Sequence, residues 1–146
     1  MSRLDRRRLA DVAIVAAPML ALILVGASLP LFGLMILAGA IVGGRSGRYE
    51  AVWFGAIGGG ALTGLVAAVA ATHRIDDIGI GAIFGAIAAV AFVTPGFLFG
   101  RAIVAVVDGE GAMRAAILAG AGILVLIAGT IVGALVLVLL AAPVGP

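Results

Sequence analysis

The chain lacks cysteine, lysine, asparagine and glutamine, and it has one histidine. Without thiols it can form no disulfide, no thiolate nucleophile and no cysteine metal site. Its long apolar stretches contain no carboxylate, whereas proton-coupled exporters and ion pumps place a titratable group inside the membrane. No nucleophile lies within sequence reach of a general base. We therefore expect a protein that is not an enzyme and that uses no cofactor.

In place of these groups the chain has four long stretches without an ionisable side chain, at 12–44, 51–72, 78–100 and 115–146. About 20 apolar helical residues cross the hydrocarbon of a bilayer. Hydrophobic residues make up 64% of the chain, against roughly 45–50% in soluble domains. No stretch shows the alternation of a transmembrane strand. The sequence predicts an all-α integral membrane helical bundle, a single transmembrane domain over 1–146 surrounded by the lipid bilayer of the cell membrane.

The first uncharged stretch is too long for one crossing. Its 33 residues would form a helix of about 50 Å, against about 30 Å of hydrocarbon, and Pro30 near its middle disfavours an uninterrupted helix. We predict two segments, 12–28 and 31–44, that form a hairpin. The further predicted segments are 50–72, 78–100 and 115–141, which makes five. The alternative is four segments, with 12–44 as one long kinked helix.

The placement of the nine arginines favours the hairpin. With it, eight arginines lie on the side of the N-terminus and Arg74 alone lies on the other side, whereas one kinked helix gives five against four. Cytoplasmic loops of membrane proteins carry the excess of arginine, so we expect a cytoplasmic N-terminus. Membrane orientation also accounts for the formal net charge of +2, and no nucleic acid partner is expected.

The beginning of the chain is similar to a secretory signal. Arg6-Arg7 precedes an apolar run, and Val25-Gly26-Ala27 resembles a cleavage site. The apolar run continues past Ser28, and the rest of the chain is equally apolar. We therefore interpret this part as an uncleaved first segment.

Glycines recur at four-residue spacing on nearly every predicted segment. In lipid, helices associate where small residues let their backbones approach closely. The pattern predicts glycine-zipper packing in a tight bundle, with a homo-oligomer or a membrane protein partner as the associated state. The residues concerned are Gly39 and Gly43, Gly55 and Gly59, Gly60 and Gly64, Gly81 and Gly85, Gly96 and Gly100, and Gly129 and Gly133.

Thr94-Pro95-Gly96 is the main irregularity of the fourth segment. Pro30 and the Thr94 triplet are candidate helix breaks, and a break at mid-depth in the fourth segment would expose carbonyl groups, as in transporter sites. For the triplet we favour the other interpretation, a tolerated kink in which Thr94 helps to satisfy the freed backbone groups. Arg101 follows this segment directly and either reaches the headgroups or is a buried functional charge.

His73, Asp76 and Asp77 form the one cluster with metal-ligand chemistry. A fourth ligand is not apparent, so we expect a hydrated loop and no metal site. The glycine-rich runs 43–47 and 58–60 lack the lysine and the preceding strand of a phosphate-binding loop. We interpret the first as a turn and the second as helix-packing glycines.

The stretch 29–65 resembles small multipass membrane proteins of unknown function. The resemblance rests on Pro30, on residues 38–47, and on Gly55, Gly58, Gly59 and Gly64. It implies a glycine-rich returning helix, a short basic loop and a second glycine-rich helix, and it implies no activity. Small multidrug exporters carry a glutamate in the first helix, which 12–28 lacks. Dual-topology fluoride channels rely on pore asparagines, and this chain has none.

From these features we expect a non-catalytic polytopic membrane protein with a structural or assembly role through helix–helix association. One alternative is a passive channel or carrier for a small neutral solute, built around the Thr94 triplet. Another is an accessory membrane subunit of a larger complex. A pore needs a continuous polar lining, whereas the uncharged segments hold five scattered hydroxyl side chains: Ser28, Thr63, Thr72, Thr94 and Thr130.

Overall fold

Five α-helices make up the part of the chain that the computed structural model describes. The described residues are 3–25, 29–72 and 78–141, with side chains described for 5–21, 32–70 and 78–135. The helices are α1 (Arg3–Val25), α2 (Leu29–Arg45), α3 (Tyr49–Thr72), α4 (Ile78–Val107) and α5 (Ala112–Ala141). Every element in these ranges is helical, which confirms the predicted all-α fold.

Three of the helices are long and apolar enough to cross a membrane. The candidate spans are Tyr49–Ala70, Ile78–Val107 and Ala112–Leu135. At about 1.5 Å per residue, each is at least as long as the hydrocarbon core of about 30 Å. Helix α2 contributes a shorter apolar stretch, Phe32–Arg45. The three long helices suggest a membrane protein, as the uncharged stretches predict.

Two helix boundaries differ from the predicted segments in ways that matter for function. Helix α1 begins at Arg3, so the basic residues before the first apolar segment are helical. Helix α4 continues to Val107, so Arg101 lies inside the helix and not after it. The stretch 12–44 is divided between α1 and α2, and residues 26–28 lie outside the described residues. Pro30 lies in the first turn of α2, where its missing N–H needs no partner.

Helix α4 runs without interruption through Thr94, Pro95 and Gly96, which the sequence left as a helix break or a tolerated kink. Proline removes one backbone donor and crowds the preceding turn, but neighbouring helices can hold such a helix together. Pro95 and Gly96 are buried, and Gly96 lies against Ile36 of α2. The structure therefore shows a continuous helix at the triplet and no break.

Close residue pairs show the relative directions of neighbouring helices. Helices α3 and α5 each run antiparallel to α4, because the residue numbers of contacting pairs rise along one helix as they fall along the other. The pairs α2 with α4 and α1 with α3 are parallel. The residues that meet are Gly60 and Gly85, Gly64 and Gly81, Gly122 and Phe99, Gly129 and Ala91, Ile36 and Gly96, Ala40 and Gly100, Val15 and Gly55, and Met19 and Gly59.

Successive helices thus alternate in direction, and one end of the bundle collects the arginines. The N-termini of α1, α3 and α5 and the C-termini of α2 and α4 lie together there, and we call this the basic end. Its arginines are Arg3, Arg6, Arg7, Arg8, Arg45, Arg48, Arg101 and Arg114. Arg74 lies outside the described residues.

The core lies where α1, α2, α3 and α4 meet. Helix α4 is central, since it packs against α2, α3 and α5, while α1 packs against α3 and α2. The core side chains are apolar and small or flexible, as close helix packing requires. They are Val15, Met19, Met35, Val42, Val52, Ala56, Ala89, Val93 and Phe97.

Glycines with positive φ end two helices at the basic end. Gly47 follows α2 with a φ of +61°, and its N–H bonds to the Val42 carbonyl at 3.2 Å. Gly109 follows α4 with a φ of +70°. There the Glu110 N–H bonds to the Ala105 carbonyl at 2.9 Å, as in a Schellman motif. These turns fix where the connecting loops leave the bundle.

Candidate functional site: a polar cavity at the basic end

Asp11 is the buried charged residue of the described part of the chain. Its exposed fraction is 1%, and those of Val15 and Met19 are 0%. The three residues are spaced by four and therefore share one face of α1. That face packs against α3, because Val15 and Met19 meet Gly55 and Gly59. The register of α1 on α3 thus carries the Asp11 carboxylate into the bundle.

A cavity of about 410 Å³ opens beside Asp11, and we call it the basic-end cavity. It is lined by Arg7, Asp11, Arg45, Ser46 and Arg48. Three guanidinium groups and one carboxylate give this lining a formal charge of +2. Residues from the start of α1, the end of α2 and the following loop meet here because α1 and α2 are antiparallel.

Charged groups in this cavity lack hydrogen-bond partners. Both carboxylate oxygens of Asp11 are buried without a partner, and so is Nη1 of Arg48. Burying a charged group is costly unless it is paired and hydrogen-bonded. The ion pair seen among the described residues is elsewhere, between Arg114 and Glu110 at 2.7 Å on the surface. Two residues that line the cavity, Asp11 and Arg48, therefore carry an unpartnered acceptor and an unpartnered donor.

The loop between α2 and α3 positions Arg48, one of the lining arginines. The Ser46 hydroxyl donates to the Val42 carbonyl at 3.3 Å and accepts from the Arg48 N–H at 3.4 Å. Gly47 lies against Arg101 so closely that a Cβ built on it would be 2.9 Å from Nη1 of that side chain. Arg101 is half-buried. Arg101 thus lies beside the α2–α3 loop, and it is neither fully at the surface nor fully buried, the two positions that the sequence left open.

The predicted packing glycines lie mostly between helices. A Cβ built on a glycine would meet a neighbouring helix at ten positions: Gly39, Gly43, Gly55, Gly59, Gly60, Gly64, Gly81, Gly85, Gly96 and Gly100. A Cβ built on Gly129 would lie 3.0 Å from the Ala91 Cβ. At Gly133 it would meet nothing within 4 Å. The helix interfaces at the first ten positions are therefore backbone-to-backbone or nearly so.

The two threonines of the core differ in their hydrogen bonds. The Thr63 hydroxyl lies 2.8 Å from the Met19 carbonyl and 2.8 Å from the Gly59 carbonyl, so it links α3 to α1. The Thr94 hydroxyl is buried without a partner. A second, open space of about 320 Å³ lies on the surface of α3 and is lined by Leu65, Val66, Val69 and Ala70.

Helix α5 exposes a regular apolar face. Among the candidate spans it is the least buried, and in the described part of the chain it packs mainly against α4. Large side chains recur on the face away from α4 at alternating spacings of four and three, the repeat of a two-helix seam. We call this face the α5 seam: Met113, Ile117, Gly120, Leu124, Ile127 and Ile131. Nothing lies within 4 Å of a Cβ built on Gly120.

No group of three or more metal-ligating side chains occurs within the described ranges. The cluster that the sequence singled out, His73 with Asp76 and Asp77, lies outside them.

Asp11 is the residue of the candidate site that sequence reasoning does not single out. In the sequence it directly precedes the first uncharged stretch, 12–44. The signal was its four-residue spacing to Val15 and Met19, which places it on the apolar face of α1. Its burial also depends on α2 ending beside it, which one helix pattern does not reveal.

The fold and this site define an all-α bundle with three potential membrane-spanning helices and a charged cavity at one end. No family model, no curated protein sequence and no solved structure matches the chain.

Proposed function

We propose that the protein is a non-catalytic, multi-pass protein of the cell membrane, with a structural or assembly role exerted through association with a second copy of itself. In this proposal all five helices are embedded in the bilayer and the basic end is cytoplasmic. The clustering of eight arginines at one end supports that orientation. Helix α2, with 17 residues, is the shortest and would cross with little tilt or with local thinning of the bilayer.

The α5 seam is the observation that carries the self-association. Two copies inserted in the same orientation present parallel α5 helices to each other. A two-fold axis then places each seam residue opposite its own equivalent, and the alternating spacing of four and three lets the side chains interlock. Gly120 allows the two backbones to approach closely. The seam is therefore complementary to itself.

The packing of the bundle supports this role better than a passive channel. A channel around Thr94 needs space beside the triplet. Gly96 instead lies directly against the backbone of Ile36, with the Ile36 carbonyl carbon 2.7 Å from the position of a Cβ. A bulky residue at Gly96 would therefore disrupt the α2–α4 contact and would report on folding, not on solute passage.

The test compares two substitutions at glycines whose Cβ position is open. Gly120→Leu lies in the α5 seam, and Gly58→Leu lies on the exposed face of α3; a Cβ at either position meets nothing within 4 Å. Energy transfer between differently labelled copies in lipid vesicles measures association. We expect Gly120→Leu to lower transfer and Gly58→Leu to leave it unchanged. Transfer at the level of random proximity in the unsubstituted protein would overturn self-association and favour a different membrane partner.

A further inference from the structure

We propose that the basic-end cavity binds a phosphate ester that carries neighbouring hydroxyl groups, and that its source is the phosphoglycerol headgroup of a membrane lipid. This inference does not depend on self-association. It rests on the chemistry of the cavity and, for the choice of a lipid, on the proposed membrane location with a cytoplasmic basic end.

The unpartnered atoms of the cavity restrict what can fill it. Both Asp11 oxygens need donors, while Nη1 of Arg48 needs an acceptor. A simple cation would satisfy Asp11 but would meet three guanidinium groups. A simple anion would pair with the arginines and leave Asp11 without donors. The ligand must therefore accept and donate hydrogen bonds from different parts of one molecule.

A phosphate bearing hydroxyl groups meets both demands. Guanidinium groups pair with phosphate oxygens through parallel hydrogen bonds, and Arg7, Arg45 and Arg48 surround the space. The hydroxyl groups then donate to the Asp11 carboxylate. The formal lining charge of +2 favours an anion, and a volume of about 410 Å³ lies in the range of small-molecule sites, about 300–1,000 Å³.

The position of the cavity favours a lipid over a soluble phosphate. Tyr49 and Trp53 begin α3 at the same end, are 38% and 42% exposed, and stack edge to face at 5.8 Å. Exposed aromatic rings of this kind lie at the headgroup level of a bilayer. Basic pockets between helices on the cytoplasmic side are suited to anionic headgroups.

The arginines attract anions, and the Asp11 carboxylate makes the site selective among them. Phosphatidylethanol has the same phosphodiester charge as phosphatidylglycerol but no hydroxyl groups, so it would leave Asp11 without donors. A buried group left unpartnered weakens binding roughly fivefold to a hundredfold. We expect the full-length protein to retain phosphatidylglycerol more tightly than phosphatidylethanol by a factor in that range.

Native mass spectrometry of the detergent-solubilised full chain, titrated with each lipid, measures this preference. Arg7→Gln and Arg8→Gln form a matched pair, since both residues are exposed on α1 and only Arg7 lines the cavity. We expect Arg7→Gln to weaken phosphatidylglycerol binding severalfold and Arg8→Gln to leave it unchanged. Asp11→Asn should bring the ratio of the two lipid affinities close to one while phosphate binding persists.

Three results would overturn the inference. Equal loss of binding in Arg7→Gln and Arg8→Gln would show a diffuse surface attraction. Equal affinity for the two lipids in the unsubstituted protein would show that Asp11 accepts no hydrogen bond from a headgroup hydroxyl. Displacement of the lipid by glycerol 1-phosphate or inorganic phosphate at comparable concentration would reject the lipid as the source. The arginine pair remains decisive even where Asp11→Asn impairs folding.

Discussion

Replacing Gly85 by alanine is the sharpest test of the contact between α3 and α4. A Cβ at Gly85 would lie 2.7 Å from the Gly64 Cα and 2.8 Å from the Gly64 nitrogen, with the Gly60 carbonyl oxygen closer still. Carbon atoms prefer separations of about 3.5–4.0 Å, so the helices must move apart by about 1 Å. All of these atoms belong to the backbone, and no rotamer change can relieve the overlap.

The expected loss of stability follows from two opposing terms. Overpacking costs about 1–3 kcal/mol, and a backbone overlap belongs in the upper part of that range. Alanine in place of glycine inside a helix gains about 0.8–1.0 kcal/mol. We expect the free energy of unfolding of Gly85→Ala to fall by about 1–2 kcal/mol, measured by circular dichroism during titration of mixed micelles with sodium dodecyl sulfate.

Gly58→Ala is the matched control for this experiment. It also lies in the middle of a helix, but a Cβ there meets nothing within 4 Å. It keeps only the helix-propensity gain, so its unfolding free energy should stay equal or rise by up to about 1 kcal/mol. If the two variants unfold at the same detergent fraction, the close contact at Gly85 does not exist and the arrangement of α3 on α4 is wrong.

The remaining predictions concern hydrogen bonds, turns and orientation. Thr63→Val should lower the unfolding free energy by about 0.6–1.7 kcal/mol because it removes a hydrogen bond between helices. Thr94→Val should be neutral or stabilising, since the Thr94 hydroxyl is buried without a partner. The same detergent titration compares the two variants. Gly47→Ala and Gly109→Ala should each cost about 1–2 kcal/mol, because both glycines have positive φ and the left-handed conformation is unfavourable for alanine. The Arg101 guanidinium beside Gly47 is the end of a flexible side chain and can move aside, so thermal unfolding should give similar losses for the two variants. Reporter enzymes fused within the α2–α3 and α4–α5 loops should both report the cytoplasm, and opposite sides for the two fusions would exclude the alternating arrangement.

The helical fold could be predicted from one property of the sequence, the length of its uncharged stretches. The position of Pro30 also indicated that 12–44 forms two helices, because proline fits the first turn of a helix better than its middle. The same reasoning applied to Pro95 left a break and a tolerated proline as alternatives, and α4 continues through this residue. The two prolines differ in their surroundings. Pro95 is buried, and its burial could not be predicted from the residues next to it in the sequence.

The candidate site was harder to predict for a related reason. Counting arginines indicated which helix ends lie together. Such a count cannot distinguish an arginine that lines a cavity from one that only contributes to membrane orientation. Arg7 and Arg8 are adjacent and chemically identical, yet only Arg7 lines the cavity. That difference depends on the rotation of α1 about its axis, which is set by contacts with α3. Asp11 was overlooked because its environment also comes from that rotation.

The glycine contacts and the polar cavity are therefore parts of one arrangement. Val15 lies so close to Gly55 that a Cβ built there would be 2.8 Å from the Val15 Cβ and 3.0 Å from the Val12 carbonyl oxygen. Asp11 is one turn further toward the basic end on the same face, so any shift of α1 away from α3 moves the carboxylate as well. Gly55→Ala should both destabilise the bundle and lower the preference for phosphatidylglycerol over phosphatidylethanol, whereas Gly85→Ala should destabilise it without changing that preference. Lipid titrations of the two variants below their unfolding transitions distinguish these effects. An unchanged preference in Gly55→Ala would mean that Asp11 is held in place by α2 and its loop, and not by the register of α1 on α3.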